Sequence, residues 1–414
     1  MNSESVDLIA TDPPFNKGRD FHATPDSLAD GASFQDRWSW DKDVHQEWVD
    51  KITDDFPKVM NVIQGSRNSY GDDMGAFLCF MAVRLLEMRR VLRETGGVYL
   101  HCDPTAGHYL KELMDSIFGY KNFENEIVWC YKSGGASNKR FAKKHDLILF
   151  YSKNRRKKQF NVLKEKSYNR DFKPYRFEGI HEYQDEKGWY TLVGMKDYWN
   201  IDMVGRTSSE RYGYPTQKPL AVYKRIVEAS SNEKEIVLDP FCGCATTLVA
   251  AEQLNRQWVG IDIWDEAFDA VITRLQKEGW LEGPGGNKGG LLFTEGEILH
   301  VTTLPERTDD GQEAVPFLKT KLKVDEPKGL KMSRAEIMAF LLDQHGNQCQ
   351  GCYRVFDDHR YLELDHNTPR SDGGLNHISN RVLLCGPCNK LKRNYFTLSG
   401  LRKENKRLGY MKGS

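Results

Sequence analysis

VDLIATDPPF, residues 6–15, decides the reading of the first three hundred residues. The run VDLIA is apolar except at one position, as suits a strand covered on both faces in a parallel sheet. Proline has no N–H to give to a ladder, so the strand must end before Pro13. Asp12 is thereby left at a strand's carboxyl end, where open α/β sheets receive their ligands. An acid and an aromatic, held by two rigid prolines, form a candidate site at that end.

Working outward, similar runs recur: GVYLHCD (97–103), NEIVWCY (125–131), DLILFYS (146–152), EIVLDPF (235–241) and WVGIDI (258–263). Between them lie helical patterns such as MGAFLCFMAVRLLEMRRVLRE (74–94) and GHYLKELMDSIF (107–118). The alternation predicts an α/β fold with a doubly wound sheet. Residues 154–212 break it, opening on NRRKKQF and rich in aromatics and charge, and read as an inserted surface module. GPGGNKGG (283–290) marks a turn-rich boundary, and 305–331 suits a polar linker. A compact basic unit with two cysteine pairs, 332–414, follows.

A second strand-to-helix turn stands about 225 residues after the first, in VLDPFCGCATTLVAAEQL (237–254). The strand ends at Asp239, and small residues let the backbone approach a ligand before a helix begins near Thr246. GID (260–262) then ends the next strand with Asp262, placed to bind ribose hydroxyls.

The 414 residues can form two or more cores. Formal net charge is zero, with 59 basic and 59 acidic residues, but the charge is unevenly spread. Tyr131 to Arg176 holds fifteen Lys/Arg against three Asp/Glu, and Phe317 to the end holds eighteen against ten. Such clustering points to a polyanionic partner. No apolar run approaches membrane-spanning length. The N-terminus, MNSESVDLIA, has no charged n-region or cleavage site. Four of nine cysteines fall in CxxC pairs, which is metal spacing in a reducing compartment. The expectation is a cytoplasmic protein.

DPPF and DPFCGCATT together resemble the two defining motifs of DNA amino-methyltransferases. Their order resembles the circularly permuted β group. YPTQKPLAVYKRIVEAS (214–230), LHCDPTAGHYLKELMD (100–115) and HDLILFYSK (145–153) also fit, so the resemblance covers roughly residues 5–304. It implies S-adenosylmethionine as methyl donor. Asp12, Pro13, Pro14 and Phe15 become catalytic residues, and Asp239, Phe241, Gly243, Thr246, Asp262 and Lys218 hold the cofactor. The chemistry is consistent: an exocyclic base amine is a weak nucleophile, and Asp12 with the Pro13 carbonyl can accept from it as positive charge develops. Phe15 can stack on the base. The base must leave the duplex to be reached, and contact with double-stranded DNA is expected in 131–176 and in 154–212 as target-recognition module. Asp in DPPF favours adenine N6 over cytosine N4, where Ser is commoner. Two departures stand out. Gly243-Cys244-Ala245 replaces the usual Gly-Ser-Gly, and the family's usual strand and helix before DPPF, with a Gly-Asp that contacts the cofactor, do not fit in the eleven residues ahead of Asp12, so that element either lies upstream of Met1 or is missing.

CQGC (349–352) and CGPC (385–388) supply four thiolates for a closed, structural zinc site: Cys349, Cys352, Cys385 and Cys388. LELDHNTPRSDGG (362–374), NHISNRVLLC (376–385) and CNKLKRN (388–394) resemble the HNH, or ββα-metal, endonuclease motif. The resemblance makes Asp365 and Asn389 ligands of Mg²⁺ or a similar cation, His366 the general base, and Asn380 the residue that pins its loop. Lys390, Lys392 and Arg393 suit phosphate contact, while His345, His359 and His377 have no assigned role. The combined reading is a modification enzyme fused to a nuclease, as restriction-modification would use. Two rivals stay open: a C-terminal module that binds DNA without cutting, and a methyltransferase half that only recognises DNA.

Overall fold

The computed structural model describes residues 1–23, 27, 29, 32–132, 136–264, 267–279, 298–302, 308–309, 332–367, 378–393 and 396–411. The boundary expected at 283–290, most of the linker expected at 305–331, and His377 lie outside the described residues. The chain divides into two compact units. One comprises Met1–Arg37 with Leu85–Val315, and the other Trp38–Arg84 with Pro316–Ser414.

The first unit is built on a seven-stranded sheet. β1 (Val6–Thr11) is buried at every position, and its prolines end it as expected. A short antiparallel hairpin follows, β2 (Phe21–His22) and β3 (Ser33–Phe34). The remaining strands of the large sheet are β4 (Leu92–Cys102), β5 (Phe123–Cys130), β6 (His145–Ser152), β10 (Tyr198–Asn200), β11 (Ile236–Asp239) and β12 (Gln257–Gly260). Their order is β10-β5-β6-β4-β1-β11-β12. Only β6 runs against its neighbours, and every other pairing is parallel. This reversal was not legible in DLILFYS, which is as apolar as a parallel strand. On one face Leu8, Ala10, Tyr99, Trp129 and Phe150 pack against Val222, Tyr223 and Ile226 of the helix Leu220–Ser230. On the other lies the helix Gly107–Met114; a Cβ on Gly107 would sit 2.9 Å from the Leu147 side chain. A larger residue there would need the Leu147 side chain to shift.

The stretch 154–212 is not without order. β7 (Lys164–Tyr168), β8 (Glu182–Asp185) and β9 (Gly188–Gly194) make a small antiparallel sheet, order β7-β9-β8, before the chain returns to the large sheet as β10. Tyr183 stacks on Tyr190 and Tyr168 meets Tyr190 edge-on, with Lys166 paired to Asp185 at 2.6 Å.

The second unit contains the helices Gln46–Asp55 and Pro57–Ser69 together with the cysteine-rich residues. Its C-terminal part is a hairpin, β13 (Leu362–His366) against β14 (Arg381–Cys385), followed by the helix Gly386–Lys392. The helix Arg334–His345 opens with a capping box, Ser333 and Glu336 exchanging bonds with each other's backbone. Its Ile337 and Leu341 join Leu362, Leu383, Leu384 and Leu401 in one core. Thr397 donates to Asp50 Oδ2 at 2.8 Å, joining the two chain segments of the unit. Among the described residues, no helix is long and apolar enough to cross a membrane.

Candidate functional site

β1 and β11 are neighbours and parallel, so the two proline turns leave the sheet side by side at the same end. Thr11 donates to Asp239 Oδ1 at 2.7 Å, and Thr247 to Oδ2 at 2.6 Å. These bonds lock the end of β1 to the start of the helix Thr246–Gln253. After DPPF the chain turns through Asn16, left-handed at φ 62°, which asparagine tolerates. Asp36 accepts the N–H groups of Asn16 and Lys17, at 2.6 and 3.1 Å, and so fixes that turn.

Asp12 is gripped from both sides. His101 on β4 meets its Oδ1 at 2.6 Å, and Lys218 donates to Oδ2 at 2.5 Å. Burial opposes ionisation, but Lys218 and His101 outweigh it and hold the carboxyl below the usual range. His101 is 3% exposed, and its Nε2 lies 3.5 Å from Asp146 Oδ2 on β6. Phe15 sets its ring edge-on to His101, 5.1 Å between centroids, with the Lys218 ammonium 5.2 Å from the ring centroid. Asp239 goes the other way: burial raises its carboxyl to about 7, ahead of the opposing bonds from Thr247 and Thr11. Two acids at adjacent strand ends thus hold opposite protonation preferences, the pattern of a divided site.

The small-residue loop is shaped as a cradle. Gly243 has φ 46°, and a Cβ there would lie 2.8 Å from the Tyr214 ring. Asp262 Oδ2 accepts from Gly243 N at 2.8 Å, and Oδ1 from Trp264 N at 2.9 Å. Phe241 N donates to Asp239. Thr246 receives the buried Arg274 guanidinium at 2.8 Å, which also binds the Cys244 carbonyl. A small-residue turn at a strand's carboxyl end, fixed by Asp262, fits a nucleotide-bearing cofactor. Lys218, expected at that cofactor, donates to Asp12. His101 and Asp146, which lie in LHCDPTAGHYLKELMD and HDLILFYSK, had no expected role. The signal available was a histidine on the strand beside DPPF, at the same strand end.

In the second unit the four cysteine Sγ atoms lie within 4.8 Å of one another. Tetrahedral zinc–thiolate geometry needs S···S edges of about 3.8 Å, and Cys352 and Cys385 stand at 3.9 Å. Cys385 N and Asn405 Nδ2 donate to the sulfurs of Cys349 and Cys388. Such donors support thiolate charge. On β13, Glu363 and Asp365 share a face, as alternate residues do. The following helix answers with Asn389, whose Nδ2 donates to Glu363 at 2.5 Å, and Lys392, whose ammonium is 3.1 Å from Asp365 Oδ2. Lys392 is 1% exposed, so the phosphate contact expected of it is replaced by this internal pair. His366 lies opposite Arg381, with Nδ1 3.3 Å from the guanidinium. Asn380 is buried, and its carbonyl accepts from Asn367 N at 2.9 Å.

The first unit thus carries DPPF and the Gly243 turn on adjacent strands of a seven-stranded sheet with one reversed strand, and the second carries a ββα hairpin and helix beside four cysteines. The chain belongs to the N6/N4 DNA methylase family, whose model matches residues 6–273, and residues 349–394 match the HNH endonuclease family. It is 27% identical over 278 residues to the type II methyltransferase M.HpaI of Haemophilus parainfluenzae, covering 67% of this chain and 70% of that one. It is 28% identical over 279 residues to the DNA adenine methyltransferase YhdJ of Escherichia coli K12, covering 66% and 77%. A solved structure of M1.HpyAVI with SAM aligns over 66% of this chain and 89% of that one, with 18% identity and a TM-score of 0.36.

Proposed function

We propose that the first unit methylates the exocyclic amine of an extruded base in double-stranded DNA, adenine N6 ahead of cytosine N4, and that the HNH hairpin cuts DNA. The observation that carries the first part is the ionised Asp12 beside Phe15, one strand away from the Gly243 cradle. Asp239, Phe241, Gly243, Thr246 and Asp262 would hold S-adenosylmethionine, which supplies an electrophilic methyl group. Asp12 and the Pro13 carbonyl accept from the amine, and Pro13 and Pro14 keep that acceptor pair rigid. Phe15 offers the base its ring. The aspartate of DPPF and the name of the adenine-specific relative support adenine. We assign methyl transfer to residues 1–304 with 154–212 as target reader, 305–331 to a linker, and cleavage to 332–414. The cytoplasm, where its DNA would lie, is the proposed location.

For cleavage, four thiolates suit structural zinc. Asp365 and Asn389 are oxygen ligands of the type Mg²⁺ takes, which would stabilise the leaving oxygen. Binding there requires Asp365 to share its carboxylate with Lys392. His366 would take the proton from the attacking water, with Asn380 steadying its loop. The test incubates the full chain with unmodified DNA, with and without SAM and Mg²⁺, and maps methylated bases and cut ends at single-nucleotide resolution. We expect methyl marks that Asp12→Ala abolishes and cuts that His366→Ala abolishes. Methylation without cuts would leave the C-terminal unit a DNA-binding module, and marks that survive Asp12→Ala would overturn the assignment of the first site.

A further inference from the structure

We infer that Lys218 stands where the amine of the target base is received and withdraws when the base enters. This rests on the reading that Asp12 and Phe15 receive the extruded base. The Lys218 ammonium already makes two of the contacts that reading asks of the base, those to Asp12 and to Phe15. It donates to Asp12 Oδ2 at 2.5 Å, and it stands over the Phe15 ring at 5.2 Å. A recessed carboxylate oxygen left without a donor is costly, so Lys218 satisfies Asp12 Oδ2 until the base amine donates to it, while His101 keeps its bond to Oδ1.

The two grips on Asp12 differ in how freely they can let go. His101 is fixed: it is buried within a strand, braced by Asp146, and packed 5.4 Å from the Trp129 ring. Lys218 is also buried, but it is a long, unbranched side chain in the turn ahead of the helix Leu220–Ser230, with rotamers that His101 lacks. Its Nζ also donates to the Thr216 carbonyl at 3.0 Å, a partner independent of Asp12. Oδ1 therefore stays anchored while Oδ2 changes donors.

The experiment uses the full chain and a duplex with 2-aminopurine at the position mapped as methylated, read by time-resolved emission. Lys218→Met keeps the length of the side chain but removes donor and charge. The extruded fraction should rise roughly tenfold, the scale of one hydrogen bond to an ionised group. The acid limb of methyl transfer on the unsubstituted duplex should move to higher pH. The charges facing Asp12 would then be His101, with Asp146 behind it, and the neighbouring Asp239. Lys218→Arg keeps a charged donor and should leave extrusion at or below the wild-type level, which keeps the inference testable if the methionine variant does not fold. Unchanged or reduced extrusion in Lys218→Met, or increased extrusion in Lys218→Arg, overturns it. Asp12→Ala separates the two claims: if that variant still methylates, the underlying reading fails, whereas its inactivity with no gain in Lys218→Met sinks this inference alone.

Discussion

At the scale of single residues, the first site is a problem of charge balance. On the proposed reading, Asp12 must be fixed and ionised when a weakly basic amine donates to it. His101 and Lys218 flank its carboxylate, and His101 in turn meets Asp146. On that reading His101 acts through Asp12 and is a positioning residue. Replacing it by Asn removes the imidazole that reaches both carboxylates. We expect kcat to fall about tenfold, the scale of one charge-assisted hydrogen bond, with little change in KM for the cofactor. The pH profile gives the sign. The Asp12 carboxyl is depressed in the native site, so activity is lost only as acid reaches that lowered value. Without His101 the carboxyl moves back toward its ordinary range, and the acid limb shifts to higher pH. A purely structural role would lower activity equally across the pH range. None of this could be read from DPPF alone, because His101 comes from a strand about ninety residues away, and only sheet pairing brings it to Asp12.

At the scale of elements, the turns after β1 and β11 were legible because proline and glycine leave the backbone few choices. VDLIA ended where its prolines said it must, and the helix after the cradle began at Thr246 as expected. What the sequence hid was direction and partnership. DLILFYS carries no mark of running antiparallel, and nothing in GID shows that the Asp262 carboxylate also accepts from the backbone of the Gly243 turn. The small sheet in 164–194 was hidden by charge and aromatics without alternation. Gly243 is where local geometry and binding meet. At φ 46°, with the Tyr214 ring 2.8 Å from any Cβ, alanine must distort the loop. A left-handed non-glycine residue costs about 1–2 kcal/mol before that clash is counted. Gly243→Ala should weaken S-adenosylmethionine binding by tenfold or more in calorimetry, while the melting temperature falls by only a few degrees. An unchanged affinity would mean that the cradle does not receive the cofactor.

At the scale of the whole molecule, chain order and folding unit do not coincide. Residues 38–84 follow the DPPF turn in sequence, yet they belong to the compact unit of the cysteines. The helix Gln46–Asp55 is tied to the C-terminal residues by Asp50, which accepts from Thr397 at 2.8 Å and also lies against Gly400. Burial, ahead of the opposing Thr397 bond, raises the Asp50 carboxyl to about 6, so this contact is recessed rather than a surface pairing. The C-terminal core is small: Cys385 ends β14, Cys388 lies on the helix after it, and Cys349 and Cys352 come from the turn ahead of β13. In a unit of this kind metal binding is a large part of the folding free energy. Stripping zinc with a strong chelator should therefore loosen more than the cysteine loops. Amide hydrogen exchange should quicken together in 334–345, in 381–392 and in 46–69, and re-addition of Zn²⁺ should restore all three. Exchange in β1, β4 and β11 should hold its rate, since their protection comes from the large sheet. If 46–69 kept its protection while the cysteine segments lost theirs, the helices after DPPF would be stable without the zinc-braced core, and the shared unit would be one of proximity and not of cooperative folding.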